Sequence, residues 1–356
     1  MLVPMPCRRW CVLLQRLASA DKYSSAEVLE PVMTSTPLRL QWERDSIDWP
    51  HRAASRFVQA AGLRWHVQTF ESSLDTHQGG PVNARPVALL IHGTGAATHS
   101  WRGLAPLLGA HFKVISLDLP GHGFTDMPGG GANPSQLTLP GMAQAIGALL
   151  KMMALSPDVL VGHSAGAAIG VRMCLDGLIT PQAVVSLNGA FLPLGGIVGQ
   201  FFSPAARLLS AAPFVPQLFS WRAANPAVLQ RLMDSTGSTL DATGMALYGK
   251  LVSNAGHAAG ALAMMANWNL PQLLEDLHGL KAPLGLVVGA NDRTVSPRQA
   301  HRVLAILSSS AYIRQPLLST LPGLGHLAHE ERPDLVAAVV MEQFAALKAA
   351  SKKPAD

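Results

Sequence analysis

Gly162-His163-Ser164-Ala165-Gly166 is a G-x-S-x-G pentapeptide set between the apolar Val159-Leu160-Val161 and a stretch from Ala165 to Asp176 with apolar residues at helical spacing. A serine on a sharp strand-to-helix turn holds its hydroxyl in the open, and flanking glycines leave room where backbone comes too close for a Cβ. The hydroxyl is a weak nucleophile at neutral pH, so it needs a base, and the base needs an acid to orient it. His326, in Leu321-Pro322-Gly323-Leu324-Gly325-His326, is the expected base. His329 competes, but Glu330, Glu331, Arg332 and Pro333 follow it and place it at the start of the last helix. Asp292, in Gly289-Ala290-Asn291-Asp292-Arg293 just after the apolar Leu284 to Val288, is the expected acid; its plainer role would be to cap the helix near Pro297. The loop after Leu187 could also supply an acid, but it holds the uncharged Asn188.

Acyl transfer through such a serine builds up an oxyanion, which needs two preorganised N–H donors. The amide of Ala165 is one candidate, and the amide of Thr94 in His92-Gly93-Thr94-Gly95 is the other. The helix that opens at Ala165 also aims the positive end of its dipole at the site. Trp101, Met265 and Trp268 are candidates for lining a substrate pocket, although Met and Trp at helical spacing serve as ordinary core as well.

The elements that must position these residues follow from patterning. Ser55 to Gln59 and Leu63 to Thr69 read as a hairpin turning at Ala61-Gly62. Val87 to Ile91, Phe112 to Leu117, Asp158 to Val161 and Ala183 to Leu187 read as buried strands, with helices at Leu139 to Met153 and Ala165 to Asp176. The rhythm breaks from about Ala190 to Pro271, where Ala-, Leu- and Met-rich helical segments alternate with prolines and glycines. It resumes with strand Leu284 to Val288, helix Pro297 to Leu307, a weak strand near Ile313 to Leu318 and helix Pro333 to Leu347. The expected fold class is α/β: a mostly parallel sheet with helices on both faces (38–189 and 272–350) and an inserted helical cap (190–271). Phe201, Phe202, Phe214, Phe219, Trp221, Met233, Met245 and Met264, with few charges nearby, are expected to give the cap an apolar inner face over Ser164.

With 49% apolar and 14% charged residues, the 356-residue chain can bury a large core without disulfides or metal. The net charge of +5 is scattered, with no basic block interleaved with aromatics, which excludes nucleic acid as the expected partner. Three cysteines at Cys7, Cys11 and Cys174 form no disulfide framework, which fits a reducing cytoplasm. No stretch is long and uncharged enough to span a bilayer, so membrane contact is expected to be peripheral at most. Residues 1–37 lack periodic patterning and read as a disordered or mis-annotated extension, with Met33 just before recognisable protein.

The segment from Ser55 to Ala346 resembles the α/β-hydrolase superfamily, with its motifs in the expected order. Within it, Asp48-Trp49-Pro50, Gly62-Leu63-Arg64-Trp65-His66-Val67-Gln68, His99-Ser100-Trp101-Arg102 and Ala266-Asn267-Trp268 are similar to the magnesium-chelatase accessory proteins of bacteriochlorophyll biosynthesis. The resemblance implies a place near Mg insertion into protoporphyrin IX, with a tetrapyrrole and the magnesium-chelatase subunits as partners to consider. Haloalkane dehalogenases and epoxide hydrolases share sheet and cap but carry an aspartate at the elbow, which Ser164 is not. The expected activity is hydrolysis of an ester or other acyl bond in a hydrophobic substrate, with no cofactor; the rival expectation is a porphyrin-binding, chaperone-like accessory protein. Deleting residues 1–32 is expected to shift the melting temperature by no more than a few degrees, measured by calorimetry, since that segment has no apolar face to bury.

Overall fold

A computed structural model describes residues 39–71, 85–129, 134–193, 214–308 and 316–351, all within the unit Pro37–Asp356. Residues 1–37, with Cys7 and Cys11, and the pair Phe201 and Phe202 lie outside the described residues.

Eight strands form one sheet in the order β1-β2-β4-β3-β5-β6-β7-β8: β1 Ser55–Ala60, β2 Leu63–Phe70, β3 Val87–Ile91, β4 Lys113–Leu117, β5 Val159–His163, β6 Ala183–Leu187, β7 Leu284–Gly289 and β8 Leu317–Leu321. β1 and β2 pair antiparallel, as does β2 with β4, and the remaining pairs are parallel. The unbroken apolar run of β3 is explained by burial on both sides. Leu89 and Ile91 join the core beneath helices Leu139–Met152 and Ala165–Leu175, while Ala88 and Leu90 join the core beneath Leu104–Leu108 and Pro333–Ser351. All six parallel-paired strands run the same way, so the loops after β3, β5, β6, β7 and β8 emerge at one edge.

Of the weak strand expected near Ile313 to Leu318, residues 313–315 lie outside the described residues, and the described strand runs further, over Leu317–Leu321. It is an edge strand whose register is set by pairing Gly285 with Leu317, and its half-buried residues carry little of the apolar signal that marks the centre.

Between β6 and β7 the described chain is helical, at Phe214–Ala223, Pro226–Asp234, Ala242–Val252, Ala255–Asn267 and Leu270–Asp276. Each of the last four starts at an Asn or Asp whose side chain accepts a backbone N–H: Asn225 from Ala227, Asp241 from Gly244, Asn254 from His257 and Asn269 from Gln272. These caps punctuate the insertion into short helices. No helix among the described residues is long and apolar enough to cross a membrane.

Helix Ala255–Asn267 meets the sheet domain at Gly260, where a Cβ would fall 2.0 Å from the carbonyl oxygen of Gly121. Gly260→Ala is therefore expected to lower stability by about 1–3 kcal/mol in urea titration, since backbone must move to admit the methyl. Gly147→Ala, inside helix Leu139–Met152 with its Cβ 3.5 Å from Leu178, is expected to be neutral or stabilising.

Candidate functional site

β5 ends at His163 and the next helix begins at Ala165, so Ser164 alone makes the turn, at φ 51° and ψ −115°. A non-glycine residue there carries about 1–3 kcal/mol of strain, and it persists only where surrounding structure demands it. Here the demand is backbone approach: a Cβ on Gly162 would lie 2.5 Å from the nitrogen of Ala167, and one on Gly166 2.0 Å from the carbonyl of Ile91. The Ser164 amide donates to Leu187 O at 2.9 Å, and its carbonyl accepts from Ala190 N at 3.1 Å, tying the elbow to the end of β6.

The loop after β3 abuts this turn, since a Cβ on Gly93 would come 3.1 Å from Ser164 Cβ. His92 braces that loop, accepting at Nε2 from the Leu119 amide (2.9 Å) and donating from Nδ1 to Gly93 O (2.7 Å). The amides of Thr94 and Ala165 donate to no backbone carbonyl of the described residues.

Asp292 follows β7 and is buried, as is His326 after β8. His326 Nδ1 donates to Asp292 Oδ2 at 2.8 Å, which fixes the ring tautomer and leaves Nε2 as the basic nitrogen. Nε2 makes no hydrogen bond with a described residue. The link to the elbow runs through its neighbour: His163 Nε2 donates to the carbonyl of His326 at 2.9 Å, and the two rings lie 4.8 Å apart. Asp292 Oδ1 accepts from the amides of Thr294 (2.8 Å) and Val295 (2.9 Å), and Oδ2 also accepts from Asn188 Nδ2 at 2.7 Å. Asn188, seen in the sequence only as a missing acid, thus steadies the acid on the neighbouring loop.

A family model described as the alpha/beta hydrolase family matches residues 88–339. The chain belongs to the α/β hydrolase family. It is 34% identical over 296 residues to the magnesium-chelatase 30 kDa subunit of Rhodobacter capsulatus, covering 83% of this chain and 96% of that protein. Among solved structures, an α/β hydrolase fold protein from Burkholderia ambifaria superposes with a TM-score of 0.63 at 22% identity, over 81% of this chain and 97% of that one. The enol-lactonase from Burkholderia xenovorans LB400 superposes with a TM-score of 0.60 at 18% identity, over 82% and 100%. At those identities the two structures attest the fold alone.

In this α/β hydrolase the insertion is stitched to the loops that carry Asp292 and His326. Thr236 O accepts from the amides of Arg293 (3.2 Å) and His326 (3.1 Å), and Ser238 Oγ accepts from Leu327 N at 2.8 Å. Glu331 accepts from Gly325 N (2.7 Å) and Thr239 N (3.2 Å). Glu330 meets Arg102 at 2.5 Å and Tyr248 at 2.8 Å, and its burial pushes the carboxyl up to about 7 despite those partners. Apart from the Gly325–Glu331 bond, which spans six residues, these contacts have no signature in the sequence, because they join segments far apart in the chain.

The pocket-lining candidates divide. Trp101 is fully buried in the core with Leu104 and Leu108, its ring 4.8 Å from that of His329, and Trp268 is buried in the larger core with Leu270 and Leu273. Both occupy core positions. Met265 is half-buried, and its neighbour Met264 is the one at the site, its Sδ 3.6 Å from Thr94 Oγ1. The expected inward face of the cap is also corrected: Phe214, Phe219 and Trp221 point to solvent, while Met233 packs with Leu229, Tyr248 and Leu327. A groove of about 650 Å³ lined by Lys151, Leu155, Leu178 and Thr180 lies at the opposite edge of the sheet, where β5 and β6 begin, away from Ser164. Cys174 is half-buried, and burial pushes its thiol up to about 12. Among the described residues no group of three or more His, Cys, Asp or Glu side chains could hold a metal ion.

His329 packs between the rings of Trp101 and His163 and has no hydrogen-bond partner among the described residues. Burial, aided by His326 and Arg102, pushes it down to about 3 from its ordinary 6.5. Unfolded, this side chain takes up a proton as pH falls through 6.5; folded, it stays neutral to about 3, so acidification through that interval favours unfolding. It should remove about 2 kcal/mol by about pH 5. Urea unfolding at several pH values is expected to show a shallower acid slope in His329→Phe, which keeps the ring packing, than in the wild type.

Proposed function

We propose that this α/β hydrolase is a serine hydrolase in which Ser164 is the nucleophile, His326 the base and Asp292 the acid that orients it. The observation that carries this reading is the His326 Nδ1–Asp292 Oδ2 bond of 2.8 Å, which leaves a basic Nε2 on the loop that His163 ties to the strained Ser164 turn. As Ser164 Oγ attacks an acyl carbon, its proton passes to His326 Nε2, and the amides of Thr94 and Ala165 hold the carbonyl oxygen as it becomes an oxyanion. The imidazolium, steadied by Asp292, then protonates the departing alcohol or amine. Water repeats the sequence on the acyl-serine and frees the acid. The proposed substrate is a hydrophobic ester or other acyl compound, in keeping with Met264 against the Thr94 loop.

Likeness to the magnesium-chelatase 30 kDa subunit supports association with chelatase subunits; the motif resemblance adds a proposed role in bacteriochlorophyll synthesis near Mg insertion into protoporphyrin IX, and the sparse, unpatterned cysteines a proposed place in the cytoplasm. The same likeness favours a second reading, an accessory protein that holds a tetrapyrrole without cleaving it, because the relative is named as a subunit.

A fluorophosphonate probe is expected to label the wild type and not Ser164→Ala, with Asp292→Asn slowed by several orders of magnitude because the imidazole loses its enforced tautomer. Failure to label folded wild type, together with equal binding of protoporphyrin IX to wild type and Ser164→Ala, would favour the accessory reading.

A further inference from the structure

Helices in folded domains turn their large apolar residues inward. Helix Phe214–Ala223 does the reverse. Its buried face is Pro216, Ser220 and Ala223, at i, i+4 and i+7, with the Ser220 hydroxyl satisfied by Gln217 O on its own helix at 3.0 Å. Its exposed face carries Phe214, Leu218 and Trp221 at the same spacing, 64%, 53% and 70% exposed, with Phe219 beside them. The small buried residues let this helix lie close against the Ala- and Gly-rich helix Ala255–Asn267, so the inversion is built into the packing and is not a frayed end.

Nine large apolar side chains are exposed among the described residues, and five of them, including Leu232, fall on this helix and the next, so the exposure is concentrated rather than scattered. Arg222 and Arg231 are exposed on the same two helices, and neither forms an ion pair with a described residue. The sequence holds no Asp or Glu between Asp176 and Asp234. Apolar and aromatic side chains accompanied by unpaired arginines, with acidic groups excluded over a long stretch, complement a surface that is apolar beneath and negatively charged above.

The geometry points to this face of the insertion as a docking surface for an anionic lipid bilayer, with Phe214, Leu218 and Trp221 entering the headgroup–acyl boundary and Arg222 and Arg231 meeting lipid phosphates. The attachment is peripheral. It stands apart from the hydrolytic reading, since none of these residues belongs to the Ser164 site.

Trp221 makes the test direct once Trp10, outside the described residues, is replaced by Phe throughout, because Trp221 is the one exposed tryptophan among the described residues. The full chain is mixed with phosphatidylcholine vesicles, with and without phosphatidylglycerol, and followed by co-sedimentation and by quenching of tryptophan fluorescence with brominated lipid. Binding is expected to be about tenfold or more stronger with the anionic lipid and to weaken at high salt. Arg222→Glu with Arg231→Glu, and Leu218→Ala with Trp221→Ala, are each expected to abolish it, while fluorophosphonate labelling and the melting temperature stay at wild-type values. Trp221→Phe should still bind yet lose the quenching. The proposal is overturned if the protein ignores both vesicles, if neutral and anionic vesicles bind equally, or if quenching persists in Trp221→Phe. It is also overturned if the chain self-associates in equilibrium sedimentation and Trp221→Asp dissolves the oligomer, which would give the face to a second copy.

Discussion

A buried carboxylate is tolerable only where donors surround it, and that requirement at Asp292 organises the candidate site. Its two oxygens collect the Thr294 and Val295 amides, the Asn188 side chain and His326 Nδ1, drawing together the loops after β6, β7 and β8. Loss of any one donor would leave an acceptor short in a buried place, where the penalty is about 1–3 kcal/mol. The cluster therefore resists small displacements of the His326 ring. The elbow on β5 is fastened to the same loops independently, by the Ser164 amide on Leu187 O and by His163 on the carbonyl of His326.

Around that centre the interior is unusually rich in neutral histidines. Burial drives His92, His99, His122, His163, His257 and His329 below their ordinary value, and most of them act through ring stacking or as braces for loops. His257 accepts from Gly123 N and donates to Gly95 O, so one ring from the insertion joins two loops of the sheet domain. Deeper still, His66 bridges Asp118 at 2.7 Å. Burial alone would raise the Asp118 carboxyl, but His66 and the amide of Phe124 hold it well below the usual range. Histidine content in this chain thus speaks mainly of loop bracing, with His66 and His326 set apart by their carboxylate partners.

The insertion has two unlike faces. Inward, Met264, Gly260 and the Thr236–Ser238 turn engage the loops at the carboxyl edge of the sheet, so any motion of the insertion would be felt at His326. Outward, its first described helix shows the side chains that hydropathy alone would have buried. A helix of ten residues flanked by prolines offers too few turns for composition to tell one face from the other, and only its neighbours decide which stripe is covered.

Local patterning carried the central strands and their mostly parallel pairing, the turn at Ser164 and the positions of Asp292 and His326 on loops after late strands, because each depends on short-range rules: apolar runs for strands, glycines where backbones touch, and loops that must leave one edge of a parallel sheet. The bounds of β8 escaped it, since an edge strand buries too little to be written in apolar residues. Tertiary structure alone decided that Asn188 would serve Asp292, that Met264 rather than Met265 would reach Thr94, that Trp101 would sit in the core, and that Phe214 and Trp221 would face outward. Those outcomes turn on which of two adjacent side chains meets a surface contributed by residues tens to hundreds of positions away, and periodicity within a segment holds no information about that surface.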